Sequence, residues 1–447
     1  MDVIFADYAL VGDEIRANVR ISIAEGRLGS VEVGAQPQAG DERHAFVLPG
    51  MPNLHSHTFQ RAIAGLAETR GPGADSFWSW RTVMYQFGLS MNPDQLEAIA
   101  AQAFMEMVEQ GFSRVGEFHY LHHDRDGSLY ANPAEHLDRV AAAAGATGIG
   151  LTMLPVFYAH SGFGGLAPAD GQRRFIHDLD QFARLMERGT EITRELPGSN
   201  LGLAPHSLRA VTPEELSALT TMTTGPIHIH VAEQVKEVED CIAWSGVRPV
   251  EWLLDHALVN GRWCLVHATH VTENEVTAMA NSGAIAGLCP VTEANLGDGI
   301  FPASSFIAQG GRYGVGSDSN VSISLREELQ ILEYSQRLAE RSRNVIAAPG
   351  QSTGVSLFTK ALVGGAQALQ SESGIVSGAP ADLFSLDLSN VPWSAKHMID
   401  QWIFGAGIGI DCAWVRGRKL VSGGRHVGRD EISARFRTVV SDLMAAG

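Results

Sequence analysis

Cysteine is scarce in this 447-residue chain: Cys241, Cys264, Cys289 and Cys412 are scattered and form no CxxC pair. Their spacing excludes a disulfide framework and a cysteine-based zinc site, and it fits a reducing, cytoplasmic setting. Basic charge is also in short supply. The net charge is −17 and the pI lies near 5.4, so no extended cationic surface is expected for nucleic acid or anionic lipid, and the acidity reads as a source of solubility. The opening stretch, MDVIFADYALVGDE, has acids where an export signal needs basic residues before a long apolar run, so no export is expected. Long apolar runs are missing as well. The longest uncharged stretch, Val140 to Ala159, is broken by Gly145, Gly148, Gly150 and Pro155, which suits a buried strand entered from a helix better than a membrane span.

What remains is a chain with 45% hydrophobic residues, enough to bury one large core and a smaller one. Its middle repeats a helix-then-strand unit. Asn92 caps a helix that opens with Pro93 and places Leu96, Ile99, Ala103, Phe104 and Met107 on one face before Gly111 stops it. Capping boxes at Thr212 (TPEE) and Thr272 (TENE) start two more helices, each followed by a glycine and an apolar strand. Apolar strand candidates fall near 47–54, 112–118, 148–157, 200–205, 226–232, 262–267, 284–288 and 312–317. Parallel strands with crossover helices in this number point to an α/β fold, a (β/α)₈ TIM barrel. Residues 1–46 and 380–425 instead alternate apolar and polar positions and are expected to pair as one small β-domain. The span 58–91, between the first strand and the first capped helix, reads as a long functional loop holding Arg70, Trp78, Trp80 and Arg81.

The segment MPNLHSHTFQRA carries His55 and His57 two positions apart, so on a strand both imidazoles share a face while Ser56 takes the other. Alone, a His-x-His pair is weak evidence for a metal. A barrel active site demands partners at the C-terminal ends of other strands, and three strands supply them: HIHVAE ends with His230 in place, CLVHATH with His267, and YGVGSDSN with Asp318. Three neutral imidazoles and a carboxylate can hold a divalent ion with a position left for water, whose pKa falls toward neutrality. Such a hydroxide attacks an sp² carbon. Glu233 lies three residues beyond His230, so strict alternation sends it outward unless the strand ends near Val231 and turns it over the site. A carboxylate there takes the water's proton and passes it to departing ammonia.

These motifs, in this order, resemble the amidohydrolase superfamily in its branch of mononuclear deaminases, and the likeness covers nearly the whole chain. The resemblance implies metal ligation by His55, His57, His230 and Asp318, with Glu233 as proton shuttle and with His267 and Asp318 beside the metal-bound water. It implies a β-sandwich domain from residues 1–48 and 380–447, re-entered at GAPADLFSLD, around a metal-dependent (β/α)₈ barrel at 49–379. Some members hold two metals bridged by a carboxylated lysine on the fourth strand; here no lysine precedes Lys236, which leaves one divalent ion, zinc or else iron(II). Four stretches, NLHSHTFQRAIAGL, FWSWRTVMY, APHSLRAV and SDSNVSISLREELQILEYSQRL, are most similar to the members that act on N-formimino-L-glutamate in histidine degradation. That likeness implies substrate contacts from Gln60, Arg81, Tyr120, His206 and Arg209, hydrolysis to N-formyl-L-glutamate and ammonia, and a cytoplasmic homodimer. The chemistry agrees: a dicarboxylate in an acidic protein needs local arginines, whose forked guanidinium groups match carboxylates.

Other residues have plainer readings. His228 is expected in the core one layer below His230, His270 in a loop, and Cys289 in packing. His119, His122 and His123 suit either a substrate-side surface or a solvated cluster, and Trp78 with Trp80 either a lid or a pinned loop. Two competing functions are a deaminase of a purine, pyrimidine or triazine ring, which would stack its substrate on aromatic side chains, and a catalytically dead scaffold, which would have lost ligands.

Overall fold

The computed structural model describes residues 2–70 and 77–446. Its centre is built of parallel strands. Met51–Ser56, Phe112–His119 and Gly150–Phe157 pair in order, and the last of them pairs with both short segments Asn200–Leu201 and Ala204–Pro205, making a five-stranded sheet. Ile227–Val231, Trp263–His267, Ile285–Leu288 and Arg312–Val315 form a four-stranded parallel sheet. Isolated parallel bridges join the two: Leu203 to Ile227 and Ser207 to His230 on one seam, Ser56 to Asp318 on the other. Gly316 permits the second seam, since a Cβ there would lie 2.8 Å from the His55 carbonyl oxygen.

Local signals set the helices between these strands. Asn92, Thr212 and Thr272 each accept a hydrogen bond from the backbone three residues on, completing the capping boxes of helices Pro93–Glu109, Pro213–Thr221 and Glu273–Ser282. Gly283 ends the last of these in the left-handed region at φ 76°, a conformation open to glycine at little cost. Strand residues such as Met153, Ile229, Leu265 and Ala286 join the inner faces of the helices in one continuous core.

The terminal segments make a single eight-stranded sheet in which the N-terminal strands Asp2–Val11 and Glu42–Pro49 lie beside Leu383–Asp387 and Gly409–Val415. In hydrogen-bonding terms the expected sandwich is therefore one continuous sheet. Alternation gives it two buried faces: Ile4, Val19, Ile21, Leu383 and Trp414 pack on one another, while Leu10, Phe46, Leu48, Phe384 and Val415 join the main core. Two helices within 380–447 leave this sheet. Met398–Phe404 packs on the neighbouring helices, and Arg429–Ala446 lies along Pro93–Glu109, with Arg429 paired to Glu109 and Ser433 bonded to Gln102.

Three expectations need correction. The apolar run near 47–54 is two strands, because Gly50 bonds to Asp382 and the chain crosses there from the terminal sheet to Met51–Ser56. The span 58–91 is not a loop: its described parts contain a 3₁₀ turn, Thr58–Ile63, and a helix, Phe77–Ser90, while 71–76 lie outside the described residues. The helix was hidden because its aromatic residues contact the site below and leave no clean apolar stripe. His119, His122 and His123 are buried rather than solvated, their rings bonded to the carbonyls of Leu121, Val156 and Ile176. Among the described residues no helix is long and apolar enough to cross a membrane.

Candidate active site

The residues His55, His57, His230 and Asp318 converge at the C-terminal ends of strands from both central sheets. The Nε2 atoms of His55 and His57 lie 3.2 Å apart and those of His55 and His230 3.1 Å apart. Asp318 Oδ1 is 3.4 Å from His55 Nε2 and 3.2 Å from His57 Nε2. Backbone carbonyls set the tautomers. His57 Nδ1 donates to the Phe118 carbonyl at 2.8 Å and His230 Nδ1 to the His206 carbonyl at 3.1 Å, so the Nε2 edges of both rings face inward. Burial pushes His55 down to about 3 and His230 well below the ordinary histidine range, so these rings are neutral at pH 7. Burial works against the charge of Asp318 too, but its close contacts with the His55 and His57 rings, and His267 nearby, hold it well below the usual carboxylate range. Inward lone pairs crowded about one carboxylate repel unless a cation lies among them, and all four donor atoms fall within 4.8 Å of one another. The residues present fit a divalent metal.

Glu233 reaches the same point by a backbone turn. Strand Ile227–Val231 stops, Ala232 enters the left-handed region at φ 52°, and Glu233 comes over the cluster, 5% exposed. His267 and Asp318 are left-handed as well, at φ 64° and 45°, so three of the strand ends carry backbone strain where the site forms. Glu233 Oε1 lies 3.9 Å from His267 Nε2, and Asp318 Oδ2 lies 3.7 Å from it. Burial pushes Glu233 up to about 7, with His267 and Arg209 acting in the opposite sense. For His267 burial opposes charge, yet Glu233, Glu293 and Asp318 outweigh it and push the imidazole up to about 10. The two groups form one buried acid–base pair.

A cavity opens above this cluster, lined by His57, His230, Glu233, His267 and Asp318 at its floor. Gln60, Arg81, Tyr120, His206 and Arg209 all line it, so every site residue expected from the sequence is in one place, with His55 fully buried beneath. Gln60 Nε2 donates to Tyr120 Oη at 2.8 Å. Arg81 sits on helix Phe77–Ser90 rather than a loop, its guanidinium 5.3 Å from the Trp78 ring centre and 4.9 Å from that of Tyr85. Arg209 is 8% exposed and its Nε has no partner among the described residues. Burial opposes its charge, but Glu237, Tyr158 and Glu233 more than compensate. His206 is held neutral by burial and by Arg209 nearby.

The plainer readings fare as follows. His228 is a core residue bonded to the Ala368 carbonyl at 2.8 Å, and His270 lies in the turn before Thr272. Cys289 is buried at the start of helix Pro290–Leu296. Trp80 lines the cavity. Sequence reasoning missed Tyr85 and Tyr158, which also line it, and Glu293, which contacts His267. Tyr85 closes the stretch FWSWRTVMY but carries no expected role there, and Tyr158 stands in none of the four stretches; Glu293 had one available signal, an acid past a strand end on the catalytic face.

A buried cluster of three histidines and an aspartate at parallel strand ends, with a carboxylate and an imidazole above it, defines a metal-dependent hydrolase site. Residues 46–420 match the amidohydrolase family, and the chain belongs to it. Residues 1–45 match the N-terminal domain of the formimidoylglutamate deiminase HutF. A formimidoylglutamate deiminase of Pseudomonas aeruginosa is 49% identical, over 99% of this chain and 100% of its own. A crystal structure of an amidohydrolase from Brucella melitensis superposes with a TM-score of 0.97 at 56% identity, covering 99% of this chain and 100% of that one. An adenosine deaminase from Xanthomonas campestris, solved with bound zinc, shares the fold at a TM-score of 0.82 and 20% identity, over 99% and 98% of the two chains.

Proposed function

We propose that this protein hydrolyses N-formimino-L-glutamate to N-formyl-L-glutamate and ammonia, a step of histidine degradation. The observation that carries the reading is the single cavity that joins a metal cluster and the Glu233–His267 pair to two arginines, one of them buried with an unpartnered Nε. The full-length likeness to a formimidoylglutamate deiminase supports it. A pocket for a neutral ring would gain nothing from burying Arg209, whereas a dicarboxylate repays its desolvation with forked hydrogen bonds.

His55, His57, His230 and Asp318 would hold one divalent ion, zinc in the first instance and iron(II) as the alternative. When bound, that ion supplies Lewis acidity that brings a water's pKa toward neutrality. Arg81 and Arg209 take the substrate carboxylates, with Gln60, Tyr120 and His206 completing the contacts, and so set the formimino carbon over the floor of the cavity. Glu233, poised near 7, accepts a proton from the attacking water and passes it to the terminal nitrogen, then carries the second proton from the new hydroxyl to the same nitrogen, which leaves as ammonia while the carbon becomes the formyl carbonyl. His267, protonated, directs its Nε2–H toward the developing negative charge beside Glu233 and Asp318.

The same reading takes the two parallel sheets as one closed (β/α)₈ barrel, supported by the bridges at both seams, with residues 49–379 as its domain and 1–48 with 380–447 as the satellite. It places the enzyme in the cytoplasm, in keeping with four free, buried cysteines. The homodimer rests on resemblance, and sedimentation velocity tests it. The decisive experiment is ammonia release by purified protein from N-formimino-L-glutamate, guanine and cytosine. Turnover of the first alone supports the proposal; turnover of a ring with none of the first refutes it.

A further inference from the structure

Glu293 has no part in the chemistry above, yet it is built into the site. It follows strand Ile285–Leu288 on the short helix Pro290–Leu296 and is 7% exposed. Its Oε1 accepts two hydrogen bonds, from the Cys289 backbone N–H at 2.9 Å and from His267 Nδ1 at 3.2 Å. The oxygen that takes the Cys289 N–H is an acceptor, so the hydrogen of the second bond comes from Nδ1. The opposite edge of the ring is thereby fixed: Nε2 faces Glu233 Oε1 at 3.9 Å and Asp318 Oδ2 at 3.7 Å.

We infer that Glu293 is a positioning residue that holds His267 with Nδ1 protonated and Nε2 turned to the reacting centre. This rests on the catalytic reading of the cavity. His267 needs such a support because its own backbone does not supply one: His267 and Ala268 are both left-handed, at φ 64° and 47°, just past the strand end. Its other ring contacts are a near-parallel one with His230, planes 10° apart and centres separated by 5.5 Å, and an edge contact with His55 at 6.2 Å, and neither fixes its rotation as a hydrogen bond does. Without an acceptor at Nδ1 the ring is free to turn or flip, and either change misdirects the Nε2 edge beside Glu233. The Cys289 bond makes Glu293 stiff in turn, since it ties the carboxylate to the backbone that starts its own helix.

Three variants test this: Glu293→Ala; Glu293→Met, which fills the same space without an acceptor; and Glu293→Gln, whose carbonyl oxygen can take both bonds. Ala and Met should lower kcat about 10- to 100-fold, the usual cost of removing an orienting partner, with KM within about twofold and metal content unchanged by elemental analysis. Gln should restore kcat to within about threefold of the parent. In proton NMR a ring N–H resonance downfield of the amides should be present in the parent and Glu293→Gln, and absent in Glu293→Met. Wild-type turnover by Glu293→Met, loss of kcat and metal together in that variant, or persistence of the resonance in it would each overturn the inference. A parent protein inactive on N-formimino-L-glutamate would overturn the substrate reading instead, and the NMR comparison would still decide Glu293.

Discussion

His55 and His230, 175 residues apart in the chain, bring their Nε2 atoms to 3.1 Å of each other. His230 has its Nδ1 proton on the His206 carbonyl, so in the neutral ring its Nε2 presents a lone pair to His55. A shared divalent cation would draw on this pair, His57 and the Asp318 carboxylate together.

Elemental analysis should therefore find about one divalent ion per chain, and little in His230→Ala. Chelation should lower the Tm of the parent, because an ion bound to the folded state alone stabilises it by mass action. Two ions per active chain would contradict the site as drawn.

Glu233→Gln should retain the metal and the fold while losing turnover by about 10² to 10⁴. Ammonia release and metal content measured on the same preparation check this. Near-normal kcat would remove Glu233 from proton transfer.

Arg81→Ala and Arg209→Ala should each lower kcat/KM by roughly one to two decades, since a charged hydrogen bond contributes about 1.5–3 kcal/mol. Lysine at either position should rescue only in part, a point charge being a poor substitute for a planar fork. Steady-state kinetics showing both alanine variants unchanged would sink the dicarboxylate substrate.

A second group of histidines predicts acid lability. Burial pushes His119 down to about 4 and His177 to about 3, and holds His122 and His136 well below their ordinary value. A histidine with a depressed folded-state pKa binds fewer protons folded than unfolded between that value and about 6.5, so its contribution is complete above pH 6.5 and is lost as pH falls. Urea midpoints should hardly change from pH 8 to 7 and decline steeply below 6. His177→Gln should flatten that decline by up to about 1.4 kcal/mol per pH unit. An identical slope in parent and variant would show that His177 titrates normally.

Much of the site was legible because it hangs on strand periodicity. His55 and His57 share a face by alternation, and His230, His267 and Asp318 stand at strand ends marked by glycine and capping signals. Arg81 was legible as a residue of the catalytic side, where it lines the cavity, but not as a helical one, since Phe77–Ser90 folds against the cavity and carries no regular apolar stripe. The histidines at 119, 122 and 123 misled because polar residues ending a strand usually face water, whereas these are buried and bond the carbonyls of Leu121, Val156 and Ile176.

By itself the sequence determined the alternation of parallel strands and capped helices, the donor set of the metal cluster, and the short reach from His230 to Glu233. These follow from local rules: the two-residue period of a strand, the hydrogen-bond deficit of a helix start, and the coordination taste of a divalent ion. Only the tertiary structure decided that Glu233 turns inward through a left-handed Ala232, that Arg209 is buried beside Glu233, and that Glu293 supports His267. Each of these depends on which segments from distant parts of the chain pack together around the site, a neighbourhood that no local pattern encodes.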